Sequence, residues 1–300
     1  MNKQKINLDQ FPTGNASNNN INACLILEGG AFRGMYTAGV LDAFMLNDIN
    51  INTAIGVSAG ALNATNYLAG NIARTIKINL DYRFDKRYIG FKALQRNKGI
   101  IGYDLFFNEE VLNKYPLNLK RLASKEKELL ISATNCLDGQ SHFFNKDASN
   151  IFLAIKASAS MPIVSKMVYI DGEPYLDGGC SKKIPIDYAL NKNYEKIIII
   201  NTREREYRRP KEKVSNLTKV IYHNYPNFVK ALDNVNADYN QTVQMLDTLE
   251  QQKRIFRIAP SEPITVSRLE KDLDKLTHIY WLGHNDALKA LPALKEYLNK

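Results

Sequence analysis

Thr53 to Ala64, TAIGVSAGALNA, is the stretch that decides how this chain reads. A short apolar run, Ala54-Ile55, enters Gly56-Val57-Ser58-Ala59-Gly60, and a run of small, helix-compatible residues leaves it. This is a G-x-S-x-G pentapeptide between an expected strand and an expected helix. A serine on so sharp a turn is backbone-strained, and flanking side chains would collide, which accounts for Gly56 and Gly60. Its hydroxyl would stand above the strand end, beside a helix N-terminus that favours developing negative charge. The pentapeptide also occurs in ordinary loops. The strand–turn–helix context is what points to a nucleophile.

A second unit of the same kind lies upstream. Ala23-Cys24-Leu25-Ile26-Leu27 is continuously apolar, as in a strand buried on both faces. It runs into Glu28-Gly29-Gly30-Ala31-Phe32-Arg33-Gly34, and from Met35 the pattern turns helical, with Val40, Leu41, Phe44 and Met45 as anchors. Parallel neighbouring strands put their C-terminal turns on one edge of a sheet. The N–H groups of Gly29, Gly30 and Ala31 then become candidate oxyanion donors for Ser58. A tight turn without a ligand is the plainer reading. A phosphate cradle is disfavoured, because Ala31 breaks the dinucleotide fingerprint and no Lys-Ser/Thr pair follows the last glycine. Arg33 either supports the turn electrostatically or pairs with a structural acid.

Further along, Glu128–Asn135 reads as a strand and Ser141–Phe144 as its partner across Asp138-Gly139. A helix is expected from Ile151 to Ser160, ending before Pro162, and a hairpin over Val164–Tyr175 turns at Asp171-Gly172. The hairpin delivers Asp177-Gly178-Gly179. Two glycines after an aspartate allow a tight turn and let the carboxylate approach a serine. Alone, D-G-G is usually an ordinary turn.

Taken in order, Leu27–Gly34, Gly56–Gly60 and Asp177-Gly178-Gly179 resemble the bacterial patatin-like phospholipases, over roughly residues 25 to 190. The turn at Ala157-Ser158-Ala159-Ser160-Met161-Pro162 is similar to that family as well. The resemblance implies an α/β fold of three layers, α/β/α, with a mainly parallel central sheet. It also implies a Ser58–Asp177 dyad in which no histidine takes part. Ester bonds of lipids or phospholipids would be cleaved through an acyl-enzyme, with the oxyanion held at the Gly29–Gly34 turn. One departure is Ala31, where the family more often has glycine. Alanine keeps its N–H but disfavours positive φ.

The rest of the chain sets the frame. Residues 1–22 are polar and Asn-rich, and are expected to form a flexible tail or a loosely docked arm. The catalytic domain is expected over 23–200, and a mainly helical portion over 201–300 packs on it. Within that portion, 214–253 reads as helical, Arg254–Ile258 as a short strand, and Ser267 to the end as two helices around Gly283. Gly99–Asp104 reads as a turn-rich link and Phe106-Phe107 as core. Tyr82–Tyr88 is basic and aromatic, and reads as a solvated face ahead of a lipid contact.

A net charge of +9 suits an anionic membrane surface, nucleic acid or acidic ligands, or no partner at all. No nucleic-acid motif supports the second option. Arg203–Lys213 holds much of this charge and reads as a surface loop, with anionic-lipid contact as the lesser reading. Three widely spaced cysteines, Cys24, Cys136 and Cys180, suggest neither a disulfide framework nor a zinc site, which suits a reducing cytoplasm. No metal or cofactor is implied. The expected partner is a lipid or ester substrate, with peripheral contact at the inner membrane surface left open and oligomeric state unread.

Two other classes stay open. An α/β-hydrolase triad runs in the order Ser, acid, His; of the four histidines, His142, His223, His278 and His284, the last three lie after Asp177. A non-catalytic lipid-binding protein on the same scaffold would bind without turnover.

Overall fold

The computed structural model describes residues 6–88, 102–147 and 150–299. Its strands are β1 (Ile21–Leu27), β2 (Ile51–Val57), β3 (Glu128–Asn135), β4 (Ser141–Asn145), β5 (Val168–Ile170), β6 (Glu173–Asp177), β7 (Ile197–Ile200) and β8 (Phe256–Ile258). They form one sheet in the order β5-β6-β3-β2-β1-β7-β8, with β4 also paired to β3. From β3 through β8 along that order every pairing is parallel. The β3–β4, β3–β6 and β5–β6 pairings are antiparallel. The mainly parallel α/β sheet expected from the sequence is therefore present.

Helices cover both faces. They are α1 (Gly34–Leu46), α2 (Ala59–Leu68), α3 (Arg74–Asp81), α4 (Glu109–Lys114), α5 (Leu119–Leu122), α6 (Ile151–Ser158), α7 (Ile186–Asn191), α8 (Asn216–Ile221), α9 (Pro226–Gln251) and α10 (Leu273–Asn299). Alternation along the central strands divides the core. Leu25, Leu27, Ile198 and Ile200 pack with residues of α1, α2 and α10. Cys24, Ile26, Ile197 and Ile199 pack with Ile186 and Ala189 of α7 and with Tyr239, Val243 and Leu246 of α9. Both faces of a parallel strand are thus buried, which is why β1 and β7 read as unbroken apolar runs.

The C-terminal stretch departs from its sequence reading at Gly283. One continuous helix, α10, runs through this residue instead of two helices meeting there. The glycine serves a close crossing. A Cβ on Gly283 would stand 2.0 Å from the Tyr36 carbonyl oxygen, and one on Gly39 would stand 1.9 Å from that of Tyr280. Only paired glycines let α1 and α10 approach this closely. Two buried acids sit beside the crossing. Asp42 accepts from the Tyr280 hydroxyl at 2.8 Å and from the Ala73 N–H at 2.9 Å. The Tyr36 hydroxyl donates to Asp286 at 3.2 Å.

Other readings are corrected locally. The helical pattern of 214–253 is two helices, α8 and α9, separated before Pro226, whose ring fits the first turn of a helix but not its interior. Tyr82–Tyr88 is only partly a solvated face: Tyr82, Arg83 and Tyr88 are buried, while Phe84 and Lys86 are exposed. Arg83 donates to the carbonyls of Leu269 and Glu270 and lies over the Phe32 ring at 5.2 Å. Phe106 is core, as expected. The link read at 99–104 falls partly outside the described residues. From residue 6 the N-terminal stretch is docked, with Phe11 buried against Tyr280 and stacked on Trp281 at 5.9 Å. No helix among the described residues is long and apolar enough to cross a membrane.

Candidate active site

β1 and β2 end side by side, Leu27 paired with Gly56, so the turns that follow them are neighbours. Ser58 occupies the turn from β2 into α2 with φ 56° and ψ −122°, a strained conformation for a residue with a side chain. The chain can turn so sharply because Gly56 and Gly60 lack side chains. A Cβ on Gly60 would stand 2.3 Å from the Leu27 carbonyl oxygen, and one on Gly56 would stand 2.6 Å from that of Gly60. The strain is held by a buried hydrogen bond. Ser58 N–H donates to Ser158 Oγ at 2.8 Å, and Ser158 Oγ donates to the Ser132 carbonyl at 2.6 Å.

β6 brings Asp177 to the same edge, where its Oδ2 accepts from Ser58 Oγ at 2.7 Å. Its Oδ1 accepts from Gly179 N–H at 2.8 Å, and its own N–H donates to the Ser160 carbonyl at 2.8 Å. Both Ser58 and Asp177 are buried. Burial pushes the Asp177 carboxyl above its ordinary value, against the opposing pull of its hydrogen bonds from Ser58 and Gly179 and the charges of Lys183 and Arg268. Lys183 Nζ donates to the Gly179 carbonyl at 2.6 Å, and burial lowers this ammonium to about 8.

The Gly29–Gly34 turn lies directly beside Ser58. A Cβ on Gly29 would stand 3.0 Å from the Ser58 Cβ. Thr202 Oγ1 donates to the Gly29 carbonyl at 3.2 Å, while among the described residues the N–H groups of Gly29 and Gly30 have no intramolecular acceptor. Ala31 adopts φ 48° despite its Cβ, so the departure from glycine does not prevent the left-handed turn. Glu28 anchors the turn, accepting from Asn201 Nδ2 at 2.9 Å and Thr202 N–H at 2.8 Å. Gly34 starts α1 against α2, its carbonyl accepting from Asn63 Nδ2 at 2.9 Å.

Two environments border this centre. A narrow apolar cavity is lined by Ala31, Phe32, Met35, Ala59, Leu62 and Phe106, with Arg268 at its rim. A basic group comprises Arg33, Arg203 and Arg209, whose Nε atoms are buried without a hydrogen-bond partner. Burial and the neighbouring Arg203 lower the Arg33 guanidinium to about 10. Arg203 lies over the Tyr207 ring at 4.4 Å and Arg209 over Tyr239 at 4.9 Å. A wider polar cleft of about 630 Å³, lined by residues including Asp138, Lys182, Asp187 and Asp238, does not include Ser58 or Asp177.

The histidines lie elsewhere. His142 pairs with Asp138 at 2.8 Å, His223 is exposed, and His278 pairs with Glu262 at 2.9 Å. His284 packs edge-on against Trp281. None is bonded to Ser58 or Asp177.

A family model described as Patatin-like phospholipase matches residues 25–190, more than half of the chain. This chain belongs to the patatin-like phospholipase family. The matched segment of this family member holds both turns, Ser58 and Asp177. A second model, a domain of unknown function, matches residues 225–299, which hold α9, β8 and α10. The Escherichia coli protein YjjU, described as uncharacterized, is 25% identical over 265 residues, covering 86% of this chain and 74% of its own. A protein of Invertebrate iridescent virus 6 described as a probable lipid hydrolase, 463L, is 28% identical over 240 residues, covering 69% of this chain and 80% of its own. Among solved structures, VipD from Legionella pneumophila aligns with a TM-score of 0.47 and 13% identity, over 91% of this chain and 67% of that one.

Proposed function

We propose that this patatin-like chain is a serine acyl hydrolase of lipid esters, with Ser58 as nucleophile and Asp177 as its base. The observation that carries the reading is the 2.7 Å hydrogen bond from Ser58 Oγ to Asp177 at a strained strand-to-helix turn. Asp177 takes the hydroxyl proton as Ser58 attacks the ester carbonyl, giving a tetrahedral intermediate that collapses to an acyl-enzyme as Asp177 returns that proton to the departing alcohol. Water, activated by the same carboxylate, then releases the fatty acid.

A carboxylate of ordinary pKa is a weak base for an alcohol. Burial of Asp177 narrows that gap from one side. The free N–H groups of Gly29 and Gly30, with that of Ala31, narrow it from the other by holding the oxyanion. One such donor contributes about 3–4 kcal/mol to the transition state. The apolar cavity beside Ala31 and Ala59 is only about 30 Å³, so an acyl chain enters it only if the lining side chains move apart. The grouped positive charge of Arg33, Arg203 and Arg209 favours a phosphate-bearing lipid over a neutral one.

The test is hydrolysis of a short-chain chromogenic ester by the wild type, Ser58→Ala and Asp177→Asn, with folding followed by circular dichroism. Either substitution is expected to lower kcat by about 10³-fold or more. Survival of activity in Asp177→Asn together with its loss on replacing one histidine would reject the dyad in favour of a triad. Lipid binding without turnover by the wild type would support a non-catalytic role.

A further inference from the structure

Helix α8 is folded inside out. Its sequence is Asn216-Leu217-Thr218-Lys219-Val220-Ile221, and the residue it buries is Thr218, with Tyr222 one turn on. Leu217, Val220 and Ile221 are 61%, 69% and 45% exposed. On an ordinary surface helix the apolar residues face the core and the hydroxyl faces water. Single exposed apolar side chains mean little, but a contiguous set on a soluble surface marks an interaction site.

Hydrogen bonds from α8 and its surroundings gather more such residues. Ile163 N–H donates to the Tyr222 hydroxyl at 2.8 Å, and Ile163 is 52% exposed. This β-branched residue is held at φ 71°, a conformation that costs free energy and that packing of Ile163 does not repay. The Tyr225 side chain lies near Tyr169, itself 58% exposed, at the β5–β6 hairpin. Asn227 Nδ2 donates to the carbonyl of Leu137, which is 52% exposed, at 2.9 Å. Three loops distant in sequence thus present large apolar side chains around one short helix.

The charge around them is mainly positive, although Glu212 is exposed between two of the lysines. Lys166, Lys211, Lys213, Lys219 and Lys230 are exposed, and no acidic residue occurs between 213 and 232 or between 161 and 170. Asp138 and Asp171 stand at the edges, the former paired with His142. Exposed apolar tips with more lysines than acids nearby match a bilayer bearing anionic lipids, where the tips enter the acyl boundary and the ammonium groups stay among head groups.

The face is also mechanically joined to the catalytic edge. Tyr222 and Phe228 pack against Leu176, the residue before Asp177. Ser160, whose carbonyl holds the Asp177 N–H, is three residues from Ile163, which is about 11 Å of chain at most.

We propose that α8, the Ile163 loop, the Tyr169 hairpin and Leu137 form a docking face for an anionic lipid bilayer, beside the Asp177 edge of the site. The role given to this face as a substrate approach rests on the lipid-hydrolase reading above; its binding to vesicles does not. The test uses the full chain and the variant Leu217→Ser/Val220→Ser/Ile221→Ser, whose changes lie in solvent. Three readouts are taken: co-sedimentation with phosphatidylcholine vesicles with and without phosphatidylglycerol, hydrolysis of vesicle lipid, and hydrolysis of a soluble short-chain ester. The variant is expected to bind phosphatidylglycerol vesicles at least about tenfold more weakly, lose vesicle hydrolysis in proportion, and keep soluble-ester activity. Binding by the wild type should weaken on pure phosphatidylcholine and at high salt. Equal binding by the two proteins, or none by the wild type, overturns the proposal. So does a wild-type dimer that the variant dissociates while vesicle binding stays unchanged, which would assign the face to a second copy of the chain. Patch-dependent binding with no ester hydrolysed supports the docking face and removes the hydrolase reading alone.

Discussion

Asp177 has two opposed influences on its proton, and the balance is measurable. Burial raises its pKa above the ordinary value of 3.8, and the charge of Lys183 opposes that rise. If its ionised form is the base, activity on a neutral soluble ester should fall on the acid side with a midpoint above 3.8. Lys183→Met removes a cation that favours the carboxylate, so the midpoint should move to higher pH, as read from kcat/KM against pH. An unmoved midpoint would assign Lys183 only the task of holding the Gly179 carbonyl. At this scale the sequence was legible where chemistry is written into a motif. Ser58 was named from its G-x-S-x-G motif, and Asp177 with the Gly29–Gly34 turn from the family resemblance; the structure brings them together. Ser158, Glu28 and Lys183 could not be given roles, since Ser158 reaches Ser58 across 100 residues and Glu28 reaches Thr202 across 174. The Ala157–Pro162 turn was visible as a resemblance, but nothing local says that the Ser158 hydroxyl holds the Ser58 N–H.

The α1–α10 pair is the element-scale feature most exposed to mutation. Gly39→Val forces a side chain into the Tyr280 carbonyl, and helix backbone cannot yield as a side chain can. Overpacking of this kind costs about 1–3 kcal/mol or more, to be read as a lowered urea midpoint at unchanged slope. Asp42, buried at the same crossing, supplies a pH test. Burial raises its pKa from 3.8 to about 7. The native state therefore binds its proton more tightly than the unfolded chain, so this group's contribution favours folding at low pH and is lost as pH rises through about 7. Relative to Asp42→Asn, the wild type should lose stability between pH 4 and pH 7, measured by urea unfolding at each pH. The strands were readable from apolar runs and turn residues, and β3 has the predicted bounds. Gly283 was misread because a glycine that ends a helix and one that admits a neighbouring helix look alike until the neighbour is known.

At the scale of the whole molecule, the net charge of +9 is not spread evenly in its consequences. Arg33, Arg203 and Arg209 carry buried nitrogens without partners next to the catalytic edge, whereas Arg205 and Arg208 of the same loop are paired with Glu250 and Asp247. Arg203→Gln with Arg209→Gln should therefore lower kcat/KM for phosphatidylglycerol by about tenfold or more relative to diacylglycerol, with the soluble ester little changed. Equal losses on both lipids would remove the head-group role. Composition alone announced a basic protein but not where its charge would be left unpaired. That depends on which residues of 203–213 fold inward against Tyr239 of α9, a contact between segments some thirty residues apart.

The glycine crossing also bears on how the protein comes into being. β1, α1, β2 and the Ser58 turn leave the ribosome early, but the helix that covers α1 is the stretch 273–299. At roughly 5–20 residues per second, the bare face of α1 waits at least about ten seconds for its partner. During synthesis the nascent chain thus exposes Gly39 and its apolar neighbours, a natural target for chaperones. Until α10 has been made, α1 and the Gly29–Gly34 turn that leads into it lack this cover, so on the lipid-hydrolase reading a chain cut before residue 273 should not hydrolyse ester.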